Sequence, residues 1–122
     1  PILRLLMLSA AAWLAACAAS RSIPAPTAKH LEYAEKGGYP ATLPSLKNGR
    51  RLYVSRCSDC HSIYKPSAYP AQEWPGIVQD MASNAEINED QIRDITRYVV
   101  AVAAAAQDST APRPMGPPGS PE

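Results

Sequence analysis

The chain has 122 residues, a formal net charge of +1, 13 prolines and three cysteines, which leaves room for one small domain and little more. With acidic and basic residues nearly in balance, it lacks the phosphate-neutralising excess that nucleic-acid binding requires. No element of the sequence points to a small-molecule substrate.

Residues 1–16 carry one positive charge at Arg4 and then an apolar run, Leu5 to Ala16, interrupted only by Ser9. That is the pattern of a secretory signal peptide. The run is shorter than the roughly 20 residues that a helix needs to cross a bilayer. It ends in Leu14-Ala15-Ala16-Cys17, which resembles the lipobox of bacterial lipoproteins and makes Cys17 the expected lipid attachment site. The alternative is an ordinary signal peptide cut nearby. With Cys17 acylated, the mature chain is expected outside the cytoplasm on a bacterial membrane, periplasmic if the cell is Gram-negative. Each buried methylene of the lipid contributes about 0.8 kcal/mol to holding it there.

Residues 17–43 contain Pro24, Pro26, Gly37, Gly38 and Pro40 and are expected to form a flexible tether. Within them Ala28 to Lys36 has the makings of a short helix, stopped by Gly37-Gly38. A tether of that length would let one domain visit two partners in turn.

Residues 44–107 are expected to be the folded domain. Its first helix runs from Leu46 to Arg56 with Ser45 as N-cap. Leu46, Gly49, Tyr53 and Cys57 recur at spacings of three and four and share a face. A glycine inside a helix costs up to about 1 kcal/mol relative to alanine, so Gly49 predicts a second helix crossing tightly over it.

Cys57-Ser58-Asp59-Cys60-His61 follows at once. Cys-x-x-Cys-His is the arrangement that attaches a haem covalently: two thiols add to the porphyrin vinyl groups, and the adjacent imidazole binds the iron. A structural zinc site needs a second ligand pair, and the other histidine, His30, has no cysteine near it. A thioredoxin-like redox motif needs βαβ patterning, which is missing between Leu46 and Val102. A domain of this size is marginal on its own core, so a bound cofactor also supplies apolar volume that it lacks.

Gln72 to Ala82 predicts a middle helix with Trp74, Ile77, Val78 and Met81 on one face and Pro75 in its first turn. The last helix opens at Asn88, with Gln91 completing a capping box. Ile92, Ile95, Val99 and Val102 form its apolar stripe, Tyr98 lies beside them, and Ala103 to Ala106 close the helix. Tyr53 and Tyr98 are expected to clamp the two long helices across Gly49. Residues 108–122 form a Pro-rich tail that cannot bury enough apolar surface to order itself.

Gly49 and Tyr53 ahead of Cys57-x-x-Cys60-His61, with a later helix bearing Ile95 and Tyr98, resemble the class I cytochrome c fold over about half the chain. The resemblance implies an all-α, small cytochrome c-like domain with three main helices around one covalently attached haem c. It implies Cys57 and Cys60 as haem thioethers and His61 as one axial ligand of the iron. Met81 is the expected second ligand, since Met7 leaves with the signal and Met115 lies in the tail; His30 is the runner-up and an open position the third option. His61 is expected to donate to the carbonyl of Pro66 or Pro70. Trp74 is a haem-pocket residue, either donating to a propionate or packing on the porphyrin edge.

The function implied is that of a membrane-tethered electron carrier, not an enzyme, passing single electrons between extracytoplasmic protein partners. A haem enzyme or gas sensor with an open axial position, or a non-haem thiol or metal lipoprotein, are the alternatives. Lys47, Arg50, Arg51, Arg56 and Lys65 surround the motif in sequence and could form a basic rim that steers an acidic redox partner.

Overall fold

Thr42, not Ser45, opens the helix that leads to the cysteine pair. In the computed structural model, which describes residues 23–57 and 63–111, the Thr42 hydroxyl accepts the Ser45 N–H at 3.2 Å and the Ser45 hydroxyl accepts the Thr42 N–H at 3.0 Å. Pro44 occupies the first turn, where its missing N–H is no loss. Ser45 is thus the third helical position of a reciprocal box, and the helix starts earlier than its sequence pattern predicts.

Four α-helices are present among the described residues, and no strand. They are α1 (Ala28–Lys36), α2 (Leu43–Arg56), α3 (Trp74–Met81) and α4 (Glu89–Thr110). Short 3-10 turns, Pro66–Ala68 and Ala71–Glu73, lie between α2 and α3. The all-α expectation holds, with α1 added to the three main helices. Among the described residues, no helix is long and apolar enough to cross a membrane.

α4 begins as expected, with the Asn88 side chain accepting the Gln91 N–H at 3.0 Å. It continues past Ala106 to Thr110. Alanine favours helix, and nothing interrupts the run until Ala111, which turns extended ahead of Pro112. Every other helix packs against α4, so its centre is buried on most sides, from Ile95 to Ala103.

α2 crosses α4 at Gly49. A β-carbon on Gly49 would lie 2.0 Å from the Asp94 carbonyl oxygen and 2.8 Å from Tyr98 Cβ, so only glycine permits this approach. The expected clamp is present: the Tyr53 and Tyr98 rings lie 6.1 Å apart, centre to centre. Asn48 adds a hydrogen bond to the Asp94 carboxylate at 2.8 Å, and Arg97 an ion pair to the same group at 3.1 Å.

The expectation of a flexible tether gives way over residues 23–43, which pack onto the domain. Ile23 is only 1% exposed, and Ala34 of α1 is fully buried. Arg50 donates to the Ile23 carbonyl from Nε at 3.1 Å and from Nη2 at 2.8 Å, while the Tyr98 hydroxyl donates to the Pro24 carbonyl at 2.6 Å. Tyr33 of α1 hydrogen-bonds Asp108 in the last turns of α4, so the folded unit extends past residue 107. Proline content argued for disorder, yet an extended Pro segment also leaves its carbonyls available, and buried donors on α2 and α4 need acceptors.

Candidate functional site

α2 delivers Tyr53 and Cys57 one turn apart to the mouth of an apolar cavity. The remaining wall is Ile63, Tyr64 and Tyr69 from the irregular segment, with Trp74, Ile77 and Met81 from α3. Spacings of three and four residues put the α3 trio on one face, as their periodicity predicts. Val78, expected on that face, is buried in the core instead. The cavity encloses about 120 Å³, and a recess of that size costs a core about 3 kcal/mol if nothing fills it.

Two of the polar tips in this wall already have backbone partners. The Trp74 indole N–H donates to the Pro66 carbonyl at 2.8 Å, so of the two roles weighed for this side chain, propionate donor or packing on the porphyrin edge, the donor is already engaged. Trp74 cannot serve both acceptors with one N–H. The Tyr53 hydroxyl donates to the Tyr64 carbonyl at 2.6 Å. Together these bonds staple the segment that follows the cysteine pair onto α2 and α3. Burial, and then the neighbouring Cys57 thiol, push the Tyr53 phenol well above its ordinary pKa, so it remains a neutral donor.

Aromatic rings continue this wall edge to face. Tyr53 and Tyr69 both meet Trp74, with ring centres 5.9 and 5.5 Å away and planes at 88°. Tyr69 then meets Tyr64 at 5.7 Å. Tyr64 is half exposed at the rim. Sequence reasoning did not single out Ile63, Tyr64 or Tyr69; they belong to a Pro-bounded stretch without periodicity, where no pattern assigns a face.

Of the residues expected to bind haem, Cys57, Trp74 and Met81 come together here. Cys60 and His61 lie outside the described residues, as does Cys17. His30 is not in the wall. Its Nδ1 accepts the Thr27 N–H at 2.8 Å and caps α1, and desolvation, with Lys29 beside it, lowers its pKa. The Pro66 carbonyl takes the Trp74 N–H and the Pro70 carbonyl the Glu73 N–H; each oxygen retains a second lone pair.

Arg50 leaves the expected basic rim. Arg50 is drawn away to residues 23 and 24, and Arg51 bonds Asn48 at 2.8 Å. Lys47, Arg51, Arg56 and Lys65 are exposed, the last two each adjacent in sequence to a wall residue.

The donor set and lining suit a flat apolar group held through sulfur: a thiol at one side, a thioether on α3 and aromatic and aliphatic carbon between them. Among known proteins, the family described as dihaem cytochrome c matches residues 53–118, just over half the chain. A cytochrome c-type protein, TorY of Haemophilus influenzae, is 31% identical over 51 residues, covering 42% of this chain and 14% of that protein. The chain therefore spans only a small part of the length of that curated relative. No solved structure matches.

Proposed function

This chain belongs to the dihaem cytochrome c family, and from that premise we propose that it is a membrane-tethered electron carrier built on one haem c site. One observation supports it above the others: the Cys57 thiol and the Met81 thioether lie in the wall of the same apolar cavity. Haem, when bound, supplies a one-electron couple between ferrous and ferric iron.

The chain's own residues would do the rest. Cys57 and Cys60 would hold the porphyrin edge, and His61 and Met81 would bind its iron. A thioether ligand raises the potential above that of two histidines. Tyr53, Ile63, Tyr69, Trp74 and Ile77 exclude water from the site. The 122 residues contain a single Cys-x-x-Cys-His run, so this stretch is assigned one haem, although the family takes its description from two.

An electron-carrying role is favoured over an enzymatic one because, among the described residues, the cavity shows no acid/base pair: the polar tips of Tyr53 and Trp74 are bonded to backbone carbonyls. The exposed side chains of Arg56 and Lys65 beside the wall favour an acidic protein partner. Cys17 is the lipid attachment site in this reading, and residues 112–122 are a Pro-rich tail.

Visible spectra of the purified protein test the proposal. A c-type spectrum is expected, with a weak far-red band from iron–thioether ligation in the oxidised form. Met81→Ala should abolish that band and lower the potential while the porphyrin remains covalently attached. A colourless protein from a haem-maturing host would overturn the haem assignment, and a spectrum indifferent to Met81 would overturn the axial ligand.

A further inference from the structure

The packed N-terminal segment changes how far a lipid anchor lets the domain travel. Five residues separate Cys17 from Ile23, and a fully extended chain over that interval reaches about 20 Å. A free tether lasting to residue 43 would reach about 90 Å. The domain itself is about 30 Å across. The difference decides whether the haem site stays beside its own membrane or ranges away from it.

The segment is held at several points. Ile23 and Pro26 are buried, Arg50 reaches the carbonyls of Ile23 and Pro24, and Tyr98 donates to Pro24. α1, which follows, is joined to α4 through Ala34 and through the Tyr33–Asp108 hydrogen bond. The hold-down point is also distinct from the cavity. Tyr98 bonds Pro24 through its hydroxyl and meets Tyr53 with its ring, and it is Tyr53 that reaches the cavity rim at Tyr64.

We propose that residues 23–26 are a strap that moors the domain flush against the lipid bilayer, so that its redox partners are proteins of the same membrane. The inference rests on acylation of Cys17, the reading given above. A short moored leash keeps the cavity at high local concentration toward membrane-embedded partners that it meets by lateral diffusion. It also denies the domain access to partners on an opposing membrane.

Neutron reflectometry tests this with the full-length, haem-loaded, acylated protein on a supported phosphatidylcholine–phosphatidylglycerol bilayer. The native protein should form a layer about one domain thick, in contact with the headgroups. A thirty-residue Gly-Ser insertion between Ser20 and Arg21, ahead of the described residues, should move the layer outward by about 20 Å. Arg50→Ala combined with Tyr98→Phe should release the strap as far as α1 and move it by about 5 Å. A native layer as distant and diffuse as that of the insertion variant would overturn the strap while leaving acylation intact. Intact-mass measurement separates the two failures: a chain without acyl mass on Cys17 overturns the anchor, and the mooring with it.

Discussion

The α2–α4 crossing and the cavity wall share Tyr53 but are stabilised in opposite ways. The crossing is complete within the polypeptide: Gly49 lies against the Asp94 backbone, Leu46, Ile95 and Tyr98 are fully buried, and Asp94 is paired with Asn48 and Arg97. The wall is an irregular segment held by two hydrogen bonds and a row of aromatic edges around a recess. One half of the domain carries its own core, whereas the other is shaped for a group the chain does not encode.

The sharpest way to break this comparison is to deny the wall its filling. Cys57→Ser with Cys60→Ser should remove covalent haem. The recess then costs about 3 kcal/mol, a large share of the stability of a domain this small. We expect loss of a cooperative melt by circular dichroism, with α4 helicity partly retained; native-like melting of that variant would show that the wall is as self-sufficient as the crossing.

Gly49→Ala attacks the other half. Its β-carbon meets backbone at 2.0 Å, so the helices must separate, at a cost of about 3 kcal/mol. The melting temperature of the holoprotein should fall by about 15 °C, while the visible spectrum stays native. An unchanged melting temperature would contradict the crossing.

Trp74→Phe probes the seam between the halves. It keeps an apolar ring but leaves the Pro66 carbonyl without its buried donor, a loss of about 1–3 kcal/mol. Unlike Gly49→Ala, it should also perturb the visible spectrum, because the stapled segment borders the cavity. A spectrum identical to wild type would place Trp74 outside the pocket's function.

The smallest effect is alkaline. Burial raises the Tyr53 and Tyr98 phenols above their ordinary value of 10.0, so the fold prefers them protonated. Their contribution is therefore intact below about pH 10, where both states hold the proton, and declines as the pH rises further and the unfolded chain ionises. Tyr98→Phe should flatten the decline measured by denaturant titration between about pH 9 and 11. It should also cost about 1 kcal/mol at neutral pH through loss of the Pro24 bond.

Local, periodic features are legible in the sequence itself. Asn88 and Gln91 mark a helix start within four residues, Gly49 announces a close neighbour, and Trp74, Ile77 and Met81 declare a face by their spacing. Each signal is complete within a turn or two of chain, where helix geometry fixes which side chains are neighbours. The Cys-x-x-Cys-His run belongs with them, because its chemistry needs residues adjacent in sequence.

Tertiary structure decided what depends on distant partners. Ile23 and Pro24 look like linker until Arg50 and Tyr98 supply donors to their carbonyls. The Trp74 indole is committed to Pro66 only once the segment between them folds back, and Arg50 leaves the basic rim for the same kind of reason. Tyr64 and Tyr69 lie where no repeat constrains direction. Periodicity can assign a face to a helix, but the side on which an irregular or Pro-rich stretch packs is set by the unsatisfied groups of other elements, and those are known only when the elements meet.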